Sequence, residues 1–517
     1  MSRSAPHHRV LVLGAGLAGL ASAHYLKESG ITDVVVLEAD QRIGGRIYTT
    51  EFGKKASGDK AIIELGANWI HGRAHNPVYK IALEKGLLEP HVLLDRTDDC
   101  KKHELGIRVA PEKQKGPPDL GSLVRDRSRM EGHFHTEDGR RVNKDLGDKL
   151  WEKFLAIEED CSSFFEDNIE TSSTIADHFR ERLAIEIEHF SQEDRSDLRL
   201  LANTMLNYLS FHIGDNLDLM SLRYDGSYDE IPGGNVKIPK GFTEVVKIFT
   251  NNFDVDTIKL GTTVTNIDWD QSKHGPSSVK VSCSLTDGEE MFYTCDHLIV
   301  TCSLGVLKKA VEDKSLFRPE LPIDKCESIN KIGFGKVNKI FLHYDKPFWE
   351  PGRASVKLAW SGKYADVDEK SEWYRRFYSF DEVMDNPTVL VAWISSIAAV
   401  HMEQLPETEV SKTCTAILRQ FLNNPDVPEP TSVLRSSWCC NPLTLGSYSY
   451  VSMDSNPTDI TTLSEPLYNP DRKPVVLFAG EATHVQWRST THGALDSGKR
   501  EANRLVKYIT NDGSKSK

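Results

Sequence analysis

The chain has 517 residues, with 63 basic against 76 acidic side chains and a net charge of −13. That length exceeds what one hydrophobic core organises, so two or more domains are expected. The acidic balance argues against nucleic acid or an anionic membrane surface as a partner and favours cations. No apolar run approaches the ~18 residues of a membrane helix. Nine scattered cysteines without a CxxC suit a reducing compartment and exclude a zinc ribbon or a thioredoxin-like site.

The N-terminal stretch carries a dinucleotide pattern. A β-branched run over 10–13 enters Gly14-x-Gly16-x-x-Gly19. An apolar-periodic helix follows through Leu17, Leu20, Ala23 and Leu26, and a second buried run over 34–37 ends in Glu38. Gly14 permits the tight turn, Gly16 lets a pyrophosphate approach the backbone, and Gly19 lets helix and strand pack closely. The helix N-terminus offers unpaired N–H groups to the phosphates. Glu38 stands where a carboxylate accepts from the adenosine ribose hydroxyls. NAD and FAD both fit this stretch. The next segment, Arg42-Ile-Gly44-Gly45-Arg46, allows another close backbone approach, and Arg46 can pair with phosphate. It resembles a flavoprotein signature more than that of an NAD dehydrogenase.

Beyond Gly66-Ala-Asn-Trp-Ile-His71-Gly72 a helix is expected near 77–86. Residues 101–130 are basic, aperiodic and bear Pro and Gly, and read as an exposed loop. His133-x-His135 lies near an Asp138-Gly139 turn and reads as an exposed hairpin, so no metal is expected. Helical patterns fill roughly 144–211 with a cap at Thr174, and 158–170 is strongly acidic around Phe164 and Phe165. Short strands return over 262–269, 279–285 and 297–301, then a β-rich stretch covers 337–345 and 389–395, and helix resumes over 407–421. The end is again nucleotide-like: a buried strand runs into Gly480 and Glu481, and a helix covers 491–509. No internal repeat appears. The expected fold is α/β, a Rossmann-like nucleotide domain (1–95, 240–312 and 440–517) interleaved with an α+β domain (96–239 and 313–439).

Several blocks together resemble the flavin-containing amine oxidase family: Gly14-x-Gly16-x-x-Gly19, GGR at 44–46, GANWIHG at 66–72, FAGEAT at 478–483 and STTHGA at 489–494. Within it they are most similar to the animal polyamine oxidases, and KIGFGKVNKIFL, PFWEP, LRSSW and GSYSYV match in order. The resemblance spans nearly the whole chain and is weakest over 95–205. It implies FAD, held by Gly14, Gly16, Gly19, Glu38, Arg46, Gly66, Trp438, Gly480, Glu481, Thr490 and Thr491, with the Val264 backbone on the adenine. Glu481 follows a strand-ending glycine, so it can reach the ribityl chain or the pyrophosphate. Ser447 stands where monoamine oxidases carry the cysteine bonded to flavin, which implies non-covalent FAD.

For the chemistry, Lys339 is the residue to single out. Strand alternation sets it on one face with Val337 and Phe341, and pattern alone leaves that face in solvent with Ile340 and Leu342 inward. The resemblance implies the opposite, a lysine facing flavin N5 and holding a water, whose pKa desolvation would lower. Tyr448 and Trp438 are implied to approach the flavin, Tyr448 as part of an aromatic slot for an alkyl amine. His71 is implied as a hydrogen-bond partner for a substrate nitrogen. The implied activity is oxidation of a small cationic polyamine, spermine or an N1-acetylated polyamine, by O2. The products are a shorter polyamine, an aminoaldehyde and H2O2. The alternatives are a demethylase-like or monoamine-oxidase-like enzyme, or a flavin-binding partner protein that has lost catalysis. A demethylase needs an N-terminal chromatin module and a long helical insertion, neither of which is seen. An amino-acid oxidase needs an arginine to clamp a carboxylate, and the sequence shows no clear candidate. The acidic run over 158–170 suits steering of a cation. The remaining expectations are a monomer with no membrane or nucleic-acid partner, in the cytoplasm. A peroxisomal address is the alternative, although the final Lys-Ser-Lys lacks the closing Leu.

Overall fold

The computed structural model describes residues 5–88, 132–269, 279–350, 352 and 354–515. The expected loop over 101–130 lies outside the described residues. A nine-stranded sheet contains a run of five parallel strands, in the spatial order Ile258–Lys259, Val34–Leu37, His7–Leu13, Glu290–Val300 and Pro474–Phe478, the first of them an edge strand. The register aligns Leu13 with Leu37 on one side and with Val300 on the other, and Val300 with Phe478. An antiparallel meander of Thr262–Asp268, Val279–Leu285 and the first half of Glu290–Val300 extends one edge. Val34–Leu37 and Pro474–Phe478 are buried at every residue, as parallel strands covered on both faces must be.

On one face of this sheet Leu17–Glu28 packs against Thr491–Lys515, with Leu20, Ala23 and Leu26 meeting Leu495, Ala502 and Leu505. The helices close tightly at Gly498, where a Cβ would lie 2.2 Å from the Ala18 carbonyl oxygen. On the other face Leu304–Asp313, Ile323–Lys331 and Pro457–Ser464 bury Leu307, Ile329 and Ile460. Phe317–Arg318 also joins this sheet, paired with Thr262–Asp268. The sheet therefore takes strands from both sides of the expected 312/313 division.

A six-stranded sheet runs Ser432–Arg435, Val337–His343, Asn386–Ser395, Ser379–Val383, Ser355–Ala359 and His133–Thr136. Its pairs are antiparallel except the last. Ser396–Gln404 and Glu407–Phe421 cover one face through Met402, Val410 and Leu418. Three helices, Lys144–Glu166, Ile175–Glu188 and Arg195–Ile213, pack with Phe134, Ala359 and Tyr378. Thr174 caps the second of these in a capping box with Asp177, which satisfies two otherwise orphaned backbone donors.

The histidine pair at 133–135 does turn back at Gly139. Its strand is nevertheless paired into the sheet with Phe134 buried, so it is not a free hairpin. Among the described residues no cluster of three His, Cys, Asp or Glu could hold a metal, and no helix is long and apolar enough to cross a membrane. The whole is the α/β nucleotide domain interleaved with an α+β domain that the pattern implies.

Candidate active site

A cavity of about 2270 Å³ is lined by residues of both sheets. Gly14, Glu38, Thr301 and Gly480 reach it from the carboxyl ends of four parallel strands, where open α/β sheets bind ligands. Gly14 has φ +103°, a left-handed value that glycine adopts freely. A Cβ on Gly16 would meet no atom within 4 Å, so its backbone stands open to the cavity. A Cβ on Gly19 would lie 2.0 Å from the Gly14 carbonyl oxygen, which explains why the helix can start so close to the strand. Glu38 accepts the Ala15 N–H at 2.6 Å and the Asp40 N–H at 2.8 Å. Its burial pushes its carboxyl pKa up.

The far end of the chain closes the same cavity. Glu481, 4% exposed, accepts from Arg46 Nη1 at 2.8 Å, Ser449 Oγ at 2.6 Å and the Ser489 N–H at 2.8 Å. Arg46 also donates to the Ser447 carbonyl at 2.7 Å. The arginine expected on phosphate is therefore anchored to a carboxylate 435 residues away in sequence. Thr490 and Thr491 line the cavity at the start of Thr491–Lys515. Thr490 Oγ1 donates to the Trp487 carbonyl at 2.7 Å and accepts the Gly493 N–H at 3.0 Å, whereas Thr491 Oγ1 is buried without a partner. Val264 and Gly66 also line the cavity. Trp438, buried, donates from Nε1 to the Leu65 carbonyl at 3.0 Å.

Lys339 faces this cavity and is 3% exposed. Val337–His343 is covered on both sides. Ile340 and Leu342 enter the core under the two helices, while Phe341 packs with Ile63, Leu65 and Trp438 toward the nucleotide sheet. Lys339 Nζ donates to the Glu64 carbonyl at 2.8 Å and the Gly66 carbonyl at 2.7 Å, and sits 4.4 Å from the centroid of the Trp393 ring. Burial lowers its pKa to about 7, and the nearby Glu64 carboxylate acts in the opposite direction. Glu64 itself is raised by burial and accepts from Thr49 Oγ1 and the Phe242 N–H. The site thus holds a lysine able to gain or lose a proton near neutrality.

Tyr448 is partly buried, with its ring against Gly214, and donates its hydroxyl to the Phe211 carbonyl at 2.6 Å. Phe211 stacks on Trp393 with centroids 5.5 Å apart, so the aromatic wall continues from Tyr448 to the ring above Lys339. Trp438 lies on the Leu65 side instead. His71 pairs through Nδ1 with Asn235 Oδ1 at 2.8 Å and lines the cavity. Glu158, Glu159 and Glu166 on Lys144–Glu166 line it as well, as do Asp225, Asp229 and Glu230. Sequence reasoning missed Trp393, Phe211 and Asn235, whose roles depend on long-range pairing. It also missed Arg488, a buried arginine that does line the cavity.

The chain matches the family model of flavin containing amine oxidoreductases over residues 17–506. It is 31% identical to the bovine peroxisomal N(1)-acetyl-spermine/spermidine oxidase over 96% of this chain and 94% of that one. It is 32% identical to the human protein of the same name, again over 96% and 94% of the two chains. Probable polyamine oxidase 5 of Arabidopsis thaliana is 31% identical over 97% and 98%. Among solved structures, a redesigned putrescine oxidase superposes with a TM-score of 0.62 at 17% identity, covering 97% of this chain and all of that one. The chain belongs to the flavin-containing amine oxidoreductase family and is an FAD-dependent amine oxidase.

Proposed function

We propose that the chain oxidises polyamines with O2 and water to a shorter amine, an aminoaldehyde and H2O2, using non-covalently held FAD. The observation that carries this reading is the acidic wall. Glu158, Glu159 and Glu166 open onto the same cavity as the buried Lys339 and the partly buried Tyr448, and an extended cation with several amines matches that distribution. The names of the bovine, human and plant relatives support it.

FAD fits the cradle on structural grounds. The Gly16 backbone is open, the Thr491 hydroxyl is orphaned beside the cavity, and Glu38 stands at the strand tip. In this reading Gly14, Gly16 and the N-terminus of Leu17–Glu28 take the pyrophosphate, Glu38 the ribose and Val264 the adenine, and Thr490 with Thr491 holds the flavin end. The nine-stranded sheet is then the core of the FAD domain and the six-stranded sheet that of the substrate domain. Ser447, whose Oγ accepts the Val337 N–H at 3.1 Å, offers no thiolate for a bond to flavin, so acid precipitation is expected to release all the flavin. Removing the orphaned hydroxyl in Thr491→Val is expected to weaken FAD retention about tenfold while leaving apoprotein stability nearly unchanged, because that group has no protein partner to lose. Flavin titration with thermal melts checks both.

Bound FAD supplies the acceptor for the two electrons of the amine C–H and passes them to O2. The protein's part is to hold and desolvate the amine. Tyr448 and the Phe211–Trp393 stack flank an alkyl chain and exclude water, and His71, oriented by Asn235, is placed to hydrogen-bond a substrate nitrogen. With two N–H bonds given to carbonyls, the protonated Lys339 has a third for a water or for the reacting region, and the neutral Lys339 turns its lone pair there instead. A peroxide assay with spermine, spermidine, N1-acetylspermine and N1-acetylspermidine, with products identified, tests the reading; no peroxide from any of them overturns it. Because the acidic wall attracts the cation through solvent, kcat/KM is expected to fall about three- to tenfold with added salt while kcat stays level. A salt-independent kcat/KM would remove the steering role.

A further inference from the structure

Apart from the residues already assigned, the cavity holds a second set of opposite charges. Asp225 begins the short turn Asp225–Ser227, which is pressed onto Lys144–Glu166 so closely that a Cβ on Gly226 would lie 2.3 Å from the Ser162 carbonyl oxygen. Arg488 lies in the loop before Thr491–Lys515, 6% exposed, with Nη1 donating to the Val485 carbonyl at 2.9 Å. The Asp229 N–H donates to the Gln486 carbonyl at 3.0 Å and ties the two loops side by side. Both charged side chains line the cavity.

They do not form a direct ion pair, having no N···O approach within 4.0 Å. Among the described residues the Asp225 carboxylate accepts no hydrogen bond, and Val485 is the one hydrogen-bond partner of the Arg488 guanidinium. Each still feels the other: burial pushes Asp225 up to about 6 against the pull of Arg488, and burial lowers Arg488 to about 10. Arg488 is buried with one backbone acceptor and the Tyr228 ring 5.8 Å from its guanidinium carbon, and the half-buried Asp225 carboxylate has no donor, so both charges are under-satisfied at one opening.

We infer that Asp225 and Arg488 form a subsite for the neutral N-acylated end of an amine substrate, with Asp225 accepting the amide N–H and Arg488 donating to the amide carbonyl. The inference rests on the polyamine reading above and names the end of the substrate that does not react. The two charges sum to zero, so a dipolar neutral group complements both. A second ammonium would satisfy Asp225 and be repelled by Arg488, and a carboxylate would do the reverse. The cationic remainder of the substrate is left to the acids on Lys144–Glu166. No described hydrogen bond or ion pair joins either residue to Lys339 or Tyr448, which fits binding of an end rather than a role at the reacting carbon.

The test compares kcat/KM for N1-acetylspermine and spermine in the FAD-loaded wild type, Arg488→Gln and Asp225→Asn, with flavin absorbance reporting intact holoenzyme. Losing a charge-assisted hydrogen bond to substrate should lower kcat/KM for N1-acetylspermine about tenfold in Arg488→Gln, mostly through KM. Spermine should be unaffected or improved in that variant, because a repelling cation is gone. Asp225→Asn should also narrow the preference for the acetylated substrate, and the double variant should fall no further than the worse single one. An unchanged preference ratio in either holoenzyme overturns the inference while leaving the polyamine reading intact. So does an Asp225→Asn that loses spermine alone, which would mark an ammonium site. Wild type producing no peroxide from any polyamine overturns both.

Discussion

Lys339→Met is expected to fold and load FAD yet oxidise its amine about 10²-fold more slowly or worse, the range lost with a positioned proton-transfer group. Methionine keeps the apolar stem in its packed place. It removes the Nζ that bridges the Glu64 and Gly66 carbonyls at 2.8 and 2.7 Å. Flavin absorbance and a melting temperature close to wild type would show an intact site, and anaerobic stopped-flow reduction would then isolate the chemical step. A near-normal reduction rate in that loaded variant removes Lys339 from the mechanism.

The same residue carries a signed pH effect. Burial lowers Lys339 to about 7 in the folded protein, whereas an unfolded lysine titrates near ~10.4. Between those values the unfolded chain binds the extra proton, so this group makes stability rise with pH from about 7 to about 10. Below about 7 both states hold the proton and the slope vanishes. Melting temperatures of wild type should therefore gain on those of Lys339→Met as pH rises through that window. Parallel curves would show that the lysine is not held neutral.

What the sequence could reveal tracks how local each arrangement is. Gly14, Gly16, Gly19 and Glu38 lie within one strand–helix–strand unit, and their geometric roles follow from spacing alone. Lys339 shows the limit of that reasoning. Alternation correctly groups it with Val337 and Phe341, but only the packing of Phe341 on Leu65 and Trp438 shows that this face is buried too. Trp393 is opposite Lys339 in the antiparallel register, a pairing that no motif announces. Phe317–Arg318 joins the nine-stranded sheet unannounced, because it is two residues long and carries no periodicity. Arg488 escaped notice for a related reason: its counter-charge, Asp225, comes from a turn 263 positions earlier in the chain. The Arg46–Glu481 pair is equally invisible to spacing, because its two members stand 435 residues apart.

That pair sets the second large expectation. Glu481→Ala should destabilise the protein by about 1–3 kcal/mol, the cost of leaving part-buried donors unsatisfied around a guanidinium that is 26% exposed, and should release FAD. The carboxylate is 4% exposed and collects Arg46, the Ser449 hydroxyl and the Ser489 N–H. Alanine leaves the guanidinium facing a cavity with no counter-charge. It also leaves a backbone N–H unpaired at Ser489, a residue held at φ +69° just before the helix that begins with Thr491. The helix start and the Arg46 loop would loosen together, and both border the flavin end of the cavity. Glu481→Gln keeps the shape and one acceptor oxygen but turns an NH2 toward donors, so it should fall between alanine and wild type. The decisive comparison is Arg46→Met with Glu481→Ala in one chain. If the damage comes from the stranded cation, the double variant recovers part of the melting temperature lost by Glu481→Ala alone. If the losses simply add, the pair is not coupled and Glu481 acts through Ser449 and Ser489.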